Sequence, residues 1–361
     1  MNAPASIGIV MHDFPLGGTE RIALRLARAW TAMGIAVTIF CGVDCGPLKA
    51  MVPEGARLVQ AWPTIPRAPG SRQRVGRAAA RHFAREPVDA LFVPGNFHWE
   101  MVPALAAIPT RPRLIVQISS PLTMPQRGRV RQTFFRRRMR RLLRRADALV
   151  AMDDANRRRA DRMMGRHIAT TIPLPALDDH SPPVGPAVGR TILAAGRLIR
   201  QKGFDLLIDA FVGLNDPTTR LVIVGSGPED EALRLQAVAS GCADRIVLPG
   251  YVPDIRPFLD EARLFVLPSR FEGFGAVIVE ALGAGRPVIA TASTPAVNDV
   301  LTDPERGIVV PIEDVPALTT ALRTLLDRPP PDPTRLACAV AAYRLGDGAR
   351  AYLDLFARAP A

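Results

Sequence analysis

Residues 265–291 read FVLPSRFEGFGAVIVEALGAGRPVIAT, and the residue types along them change in the order strand, loop, helix, strand. Phe265, Val266 and Leu267 are a short apolar run closed by Pro268 and Ser269, the pattern of a buried strand ending in a turn. Glu272 follows in the loop. Gly273, Phe274 and Gly275 open a helix that runs through Ala276 and Val277 to Leu282, and Gly283, Gly285 and Pro287 stop it before a second apolar strand. Glycines there let backbone N–H groups come close to a ligand, and the positive end of the helix dipole favours an anion.

At about 1.5 Å of rise per residue, Glu280 stands roughly 7 Å along the helix from Gly275. That is the reach from a sugar diphosphate to a ribose, whose pair of hydroxyls suits a carboxylate because both of its oxygens accept. On this reading Glu272 faces a sugar and Glu280 a ribose. The same spacing also fits an ordinary strand-to-helix turn, with Glu272 solvated and Glu280 on the outer face of the helix.

Composition sets the bounds. A chain of 361 residues is long enough for two domains, and 48% hydrophobic with 22% charged residues is a soluble globular balance. No apolar run approaches the ~20 residues of a membrane span, and the N-terminal MNAPASIGIVMHDF reads as a first strand in place of a signal peptide. Cys41, Cys45, Cys242 and Cys338 form no C-x-x-C pair and lie near no histidine cluster, so reduced thiols in the cytoplasm are expected and metal binding is not. The net charge of +12 is almost all arginine, since Lys49 and Lys202 are the only lysines, and it points to anionic partners.

In chain order, SIGIVM (6–11) is strand-like, and the loop HDFPLGGTE (12–20), with Gly17 and Gly18 at its end, enters an amphipathic helix. A glycine pair at a helix start admits a phosphate or simply makes a tight turn. Strands near 36–40 and 57–59, a basic helix near 71–86 and a strand at 89–93 follow, then the loop PGNFHWE. Alternating strands and helices call for a parallel sheet whose ligands gather at the carboxyl ends of the strands. His98, in that loop, is there either to touch an acceptor or for structure. RLIVQIS (113–119) is the next strand.

The run RGRVRQTFFRRRMRRLLRR, Arg127 to Arg145, holds no acid, and Val130, Phe134, Phe135, Met139, Leu142 and Leu143 recur at helical spacing. It is an amphipathic helix with a cationic face, suited to anionic lipid headgroups or merely solvated. DDHSPPVGPAVG (178–189) reads as a linker. The second half restarts the alternation, with Arg197 and Lys202 five apart on one loop, where both can point at one diphosphate.

The run from Glu272 to Glu280, preceded by LPSR and followed by ALGAGRPVIAT, resembles the E-x7-E motif of the family 4 retaining glycosyltransferases of GT-B fold (glycosyl transferases group 1). The G-G-x-E of residues 17–20, the G-R-L-x-x-x-K-G of 196–203 and VLPGYVPD around Val252 resemble that family's first loop, phosphate clamp and base-cupping loop. Two places depart from it. Gln117 and Ser119 stand where many members carry a histidine, and Ser293, Thr294, Pro295 and Ala296 replace the usual glycine-rich turn.

The resemblance implies an α/β protein of two Rossmann-like domains with parallel sheets facing a central cleft. Residues 1–177 would bind the acceptor, 178–189 would link, 190–340 would bind a nucleotide sugar, and 341–361 would form a helix crossing back to the first domain. It implies catalytic roles for Glu272, Arg197 and Lys202, and donor contacts from Gly17, Gly18, Gly196, Val252, Gly273, Phe274, Gly275, Ala276, Val277 and Glu280. His12, Asn96, His98 and Ser119 are the acceptor candidates. It implies transfer from a nucleoside-diphosphate sugar, a UDP-sugar first and GDP-mannose second, to a glycan or lipid-linked acceptor in cell-surface polysaccharide or glycolipid synthesis, with no cofactor and no metal, there being no D-x-D motif. The expected place of work is the cytoplasm, including the inner face of the membrane. The alternative is a nucleotide-binding scaffold without transfer. Nucleic-acid binding is disfavoured because aromatic residues are only 6% and are not interleaved with the basic run, and the first loop lacks a dehydrogenase G-x-G-x-x-G.

Overall fold

A computed structural model describes residues 3–122, 128–185 and 189–358 of the chain. It divides into two compact units, 1–175 together with 345–361, and 176–344.

The first unit runs β1 (Ser6–Met11), α1 (Gly18–Ala32), β2 (Ala36–Cys41), β3 (Arg57–Gln60), α2 (Ser71–Arg85), β4 (Ala90–Val93), α3 (Val102–Leu105), β5 (Arg113–Ile118), α4 (Gly128–Leu143), β6 (Ala148–Ala151), α5 (Asp154–Met164) and β7 (Ala169–Thr171). The second runs β8 (Thr191–Ala195), α6 (Phe204–Leu214), β9 (Arg220–Val224), α7 (Asp230–Ala239), β10 (Ile246–Gly250), α8 (Arg256–Glu261), β11 (Leu264–Leu267), α9 (Ala276–Gly283), β12 (Val288–Thr291), α10 (Pro295–Val300), β13 (Gly307–Val310), α11 (Val315–Asp327) and α12 (Pro333–Ala339). The last helix, α13 (Leu345–Ala357), belongs to the first unit.

Each unit is built on one parallel sheet. The strand orders are β3-β2-β1-β4-β5-β6-β7 and β10-β9-β8-β11-β12-β13. Strands covered on both faces should be apolar throughout, and β4, β6, β11 and β12 are buried at every position. In such doubly wound sheets the order reverses at one place, and loops leaving the carboxyl ends there diverge and leave a crevice. The reversal falls between β1 and β4 in the first unit and between β8 and β11 in the second.

α13 is held by α1 and the first sheet. Trp30 donates from Nε1 to the Ala349 carbonyl at 3.1 Å, and its ring meets Tyr352 and Phe356 edge-on at 5.9 and 5.8 Å. Tyr352 is buried, takes a 3.1 Å hydrogen bond from Gln117 Nε2 and stacks edge-on with Phe92 at 5.2 Å. Burial pushes its phenol well above the usual range.

The proline-rich stretch read as a linker goes with the second unit over its described part. Val184 N donates to the Ala284 carbonyl at 3.2 Å, and the buried Arg286 guanidinium spans the carbonyls of Leu259, Gly185 and Asp260 at 2.7–2.9 Å. Residues 186–188 of that stretch and Arg127 of the cationic run lie outside the described residues.

Candidate active site

The loops after β8 and β11 leave neighbouring strands at the reversal point of the second sheet. After β8, the chain passes Gly196 and Arg197 and makes a tight turn at Arg200–Lys202 that ends in Gly203. Gly203 has φ +68, and a Cβ there would lie 2.1 Å from the Pro268 carbonyl oxygen at the end of β11. Only glycine meets both demands. The two loops are also stitched together: Arg270 N donates to the Gln201 carbonyl at 2.8 Å, and Gln201 Nε2 to the Phe271 carbonyl at 2.8 Å.

This stitching brings Lys202 to Glu272. Lys202 Nζ lies 2.5 Å from Glu272 Oε1, and Ser269 Oγ donates to the same oxygen at 2.7 Å. Glu272 is 6% exposed and the Lys202 side chain 19%, so the pair is partly withdrawn from water and stronger than a fully exposed pair would be. The carboxylate thus sits at the mouth of the loop, held by one cation and one hydroxyl.

Arg270 fixes the loop from outside. Its guanidinium donates to both Asp205 carboxylate oxygens at 2.8 and 2.7 Å, to Glu313 at 2.6 Å and to the Arg200 carbonyl at 2.7 Å. Burial is the largest single influence on the Asp205 carboxyl and raises it, but the Arg270 hydrogen bonds, the Arg270 charge and the backbone N–H groups of Asp205 and Leu206 together outweigh it and hold the carboxyl below its usual range. From the other side, Glu272 N donates to the Ser293 carbonyl at 3.2 Å, and Thr294 Oγ1 to the Gly273 carbonyl at 3.2 Å. The residues that depart from the family's glycine-rich turn therefore brace the glutamate loop.

α9 begins at Gly275, whose φ of +84 turns the chain into the helix with no side chain capping the first N–H groups. Ile278, Val279, Ala281 and Leu282 are buried, whereas Ala276, Val277 and Glu280 are half-buried. The half-buried three are spaced i, i+1 and i+4, one stripe of the helix. Uncapped N–H groups, a dipole end and a carboxylate farther along one stripe suit a diphosphate followed by a ribose. Phe274 is buried with its ring 5.7 Å from Tyr343, Gly196 packs beside the Lys202 stem, and Val252 lies half-buried in the loop after β10. Arg197 is exposed and its side chain has no hydrogen-bonding partner among the described residues.

In the first unit the loops after β1, β4 and β5 carry the other candidates. His12 is fully buried, with Nε2 2.9 Å from Ser71 Oγ. Asp13 beside it takes two hydrogen bonds from Arg67, both 2.7 Å. Burial raises the Asp13 carboxyl, but the nearby His12 ring, its Nδ1 3.8 Å from Oδ2, and the Arg67 guanidinium together outweigh that and lower it to about 2. Asn96 and Ser119 are tied reciprocally, Asn96 N donating to Ser119 Oγ at 3.0 Å and Ser119 N to Asn96 Oδ1 at 2.8 Å.

His98 is fully buried, and its Nδ1 donates to the Pro94 carbonyl at 2.5 Å. That bond leaves Nε2 as the lone-pair nitrogen of a neutral ring, buried with no partner among the described residues. Burial lowers its pKa to about 4, with the Pro94 carbonyl pulling weakly the other way. Gly17 and Gly18 differ. A Cβ on Gly17 would meet Glu20 Oε2 at 2.2 Å, whereas nothing lies within 4 Å of one on Gly18. An anion reaching this turn meets a carboxylate at Gly17 and open space at Gly18.

Among the described residues no group of three or more His, Cys, Asp or Glu side chains is placed to hold a metal ion.

The family of glycosyl transferases group 1 matches residues 189–328, and the glycosyl transferase 4-like domain matches residues 17–176. The chain belongs to the group 1, GT4-like glycosyl transferases. Among curated relatives, this family member is 33% identical over 141 residues to the lipopolysaccharide core biosynthesis glycosyltransferase LpsE of Rhizobium meliloti, covering 39% of this chain and 41% of that one. It is 31% identical over 200 residues to the lipopolysaccharide core biosynthesis mannosyltransferase LpcC of Rhizobium leguminosarum bv. viciae, covering 52% and 56%. The matches thus span about two fifths to just over half of those relatives. Anabaena HepE, solved with UDP and glucose, shares the fold at a TM-score of 0.74 and 18% identity over 97% of this chain and 94% of its own. WaaG, a glycosyltransferase involved in lipopolysaccharide biosynthesis, does so at 0.69 and 17% over 98% and 100%. The fold is GT-B.

Sequence reasoning missed the residues that hold the site: Ser269, Gln201 and Asp205. Ser269 lies three residues from Glu272 and was legible as a turn residue. The others act across some 70 residues of chain and leave no local signal.

Proposed function

We propose that the protein is a glycosyltransferase that moves a sugar from a nucleoside-diphosphate sugar to a glycan or lipid-linked acceptor in surface-polysaccharide or glycolipid synthesis. One observation carries the reading: Lys202 and Glu272 meet at the reversal point of the second sheet, beside the uncapped start of α9. The family's relatives in lipopolysaccharide core assembly support the acceptor class.

The bond between the anomeric carbon and the phosphate oxygen breaks, and its electron pair goes to the diphosphate. Lys202, the unpaired Arg197 and the α9 N–H groups stabilise that charge as fixed donors, without a metal. Glu272 then orients or polarises the sugar as positive charge develops on it. The new bond joins the anomeric carbon to an acceptor oxygen, whose proton passes to the departing phosphate, with retention of configuration. Glu280 holds the ribose hydroxyls. In the acceptor unit, the half-buried Asn96–Ser119 pair is the polar pair offered to hydroxyls.

For the donor, LpcC is named a mannosyltransferase, and a 37% identical relative from Mycolicibacterium smegmatis is named GDP-mannose-dependent. GDP-mannose therefore joins the UDP-sugars at the head of the donor panel. Peripheral membrane association is part of the proposal: Val130 and Phe134 on α4 are 69% and 66% exposed among arginines, and no described helix is long and apolar enough to cross a bilayer.

The test is a donor panel read by the rise in melting temperature, followed by release of free nucleoside diphosphate with and without acceptor glycans. Acceptor-dependent release is expected for one donor. Binding of a donor with no release under any acceptor supports the scaffold alternative instead.

A further inference from the structure

The C-terminal half of α4 and the turn after it, which holds Arg144 and Arg145, carry two stripes of arginine, and each lines an open concavity. Arg137, Arg140, Arg141 and Arg144, spaced i, i+3, i+4 and i+7, line one of about 400 Å³ with Met164 and Arg166 from the end of α5 and the turn after it. Arg138, Arg141, Leu142 and Arg145 repeat that spacing one residue on and, with Arg144, Gln73 and Pro103, line another of about 500 Å³. Arg141 and Arg144 form the ridge between the two. No acidic residue lines either concavity, and both volumes fall in the range of small-ligand sites, roughly 300–1,000 Å³.

Most of this charge has no use within the unit. Arg138 pairs with Glu100, which also takes Arg72 at 3.1 Å, and Arg166 donates to the carbonyls of Arg144 and Ala146 at 3.4 and 3.3 Å. The side chains of Arg137, Arg140, Arg141, Arg144 and Arg145 make no ion pair among the described residues. Cations at a helix C-terminus favour the dipole, but that effect is confined to the last turn, which holds Arg140 and Arg141, and leaves Arg137 unaccounted for. Like charges at i+3 and i+4 destabilise a helix. A bound anion relieves that repulsion.

We propose that the two concavities are a phosphate-recognition site, separate from the diphosphate clamp of the second unit, for a ligand carrying one or more phosphate groups. Guanidinium forks match phosphate oxygens two at a time, and four of them in the larger concavity and five in the smaller select a multiply charged anion over a carboxylate. Leu142, Pro103 and Met164 give the carbon skeleton of such a ligand an apolar wall. The phosphate is either that of a soluble phosphorylated compound or that of a lipid headgroup.

The test is arginine-specific labelling of the wild-type protein with phenylglyoxal, read residue by residue by mass spectrometry. Sodium pyrophosphate is compared with sodium chloride at equal ionic strength. Labelling of Arg141 and Arg144 is expected to slow at least tenfold with pyrophosphate, while the exposed Arg220 on β9 is unchanged. Arg197 reports the clamp separately, so failure here and failure of the donor reading are distinguishable. A parallel arm uses phosphatidylglycerol vesicles. Protection by pyrophosphate alone assigns a soluble phosphorylated ligand, and protection by both assigns the lipid phosphate as well. Protection by vesicles alone means a membrane-docking face without a discrete site and overturns the proposal, as does protection by neither.

Discussion

Lys202 and Glu272 are separated by 70 residues of chain and by 2.5 Å of space. A lysine that neutralises a departing diphosphate acts mainly in the transition state, and losing one such fixed donor costs about 10²–10³ in kcat. Lys202→Ala is therefore expected to lower kcat by that order, with magnesium unable to restore it, and chelator should leave the wild type active. Divalent-ion rescue of the variant, or dependence of the wild type on the ion, would count against the clamp. His98 makes a different prediction because its ring is buried and neutral. Its folded pKa, about 4, lies below the ordinary 6.5, so the unfolded chain binds the proton more readily. The stability it contributes is fully present above about pH 6.5 and is lost as pH falls toward 4, by about 3 kcal/mol if the whole shift is realised. Denaturant midpoints of wild type and His98→Gln should converge across that window. Parallel pH profiles would mean that His98 is not the titrating group.

At the scale of elements, the site depends on a tight turn that only glycine can make. Gly203→Ala must adopt φ +68 and place a methyl 2.1 Å from the Pro268 carbonyl, whereas Gly241→Ala has φ +71 and meets nothing within 4 Å. The second variant therefore isolates the left-handed backbone cost, about 1–2 kcal/mol. Gly203→Ala should lose more stability than that, and activity as well, because the loops that join Lys202 to Glu272 must part. Equal losses of stability, with activity intact in both variants, would show that the loop contact does not position the pair. The element order and the glutamate helix were legible from apolar runs broken by glycine and proline, since parallel strands buried on both faces leave that pattern in any order of neighbours. The bracing of the glutamate loop was not. Arg270 reads as one more arginine in a chain rich in them, and its grip on Asp205 and Glu313 exists only once three distant segments meet. Nor was the Glu20 carboxylate crowding Gly17 legible, because a glycine pair before a helix has the same sequence whether the space beside it is open or filled by the protein's own acid.

For the whole molecule, the chain leaves its first unit at Pro175 and contributes to it again from Leu345. The closing YRLGDGARAYLDLFARA was legible as an amphipathic helix from its spacing, and its partner came from family resemblance, since nothing local marks Trp30 as the residue it covers. Its energetic weight follows from burial. Leu345, Tyr352, Leu353, Leu355 and Phe356 are all buried, and each large apolar side chain taken from water stabilises by about 1.5–3 kcal/mol. Together they approach the 5–15 kcal/mol by which a typical domain is stable at all. A chain ending at Arg344 is therefore expected to lose the folded first unit, while the second, whose sheet is complete by β13, keeps its own. Two graded substitutions separate packing from hydrogen bonding. Tyr352→Phe strands the Gln117 amide and should cost about 1–3 kcal/mol, and Tyr352→Ala also opens a cavity against Trp30 and Phe92 and should cost at least about 3–5. Thermal melts by circular dichroism, with Trp30 fluorescence reporting the first unit, would read the series. If the chain ending at Arg344 kept an unchanged first-unit transition, α13 would be an appendage and the first sheet would be stable on its own core.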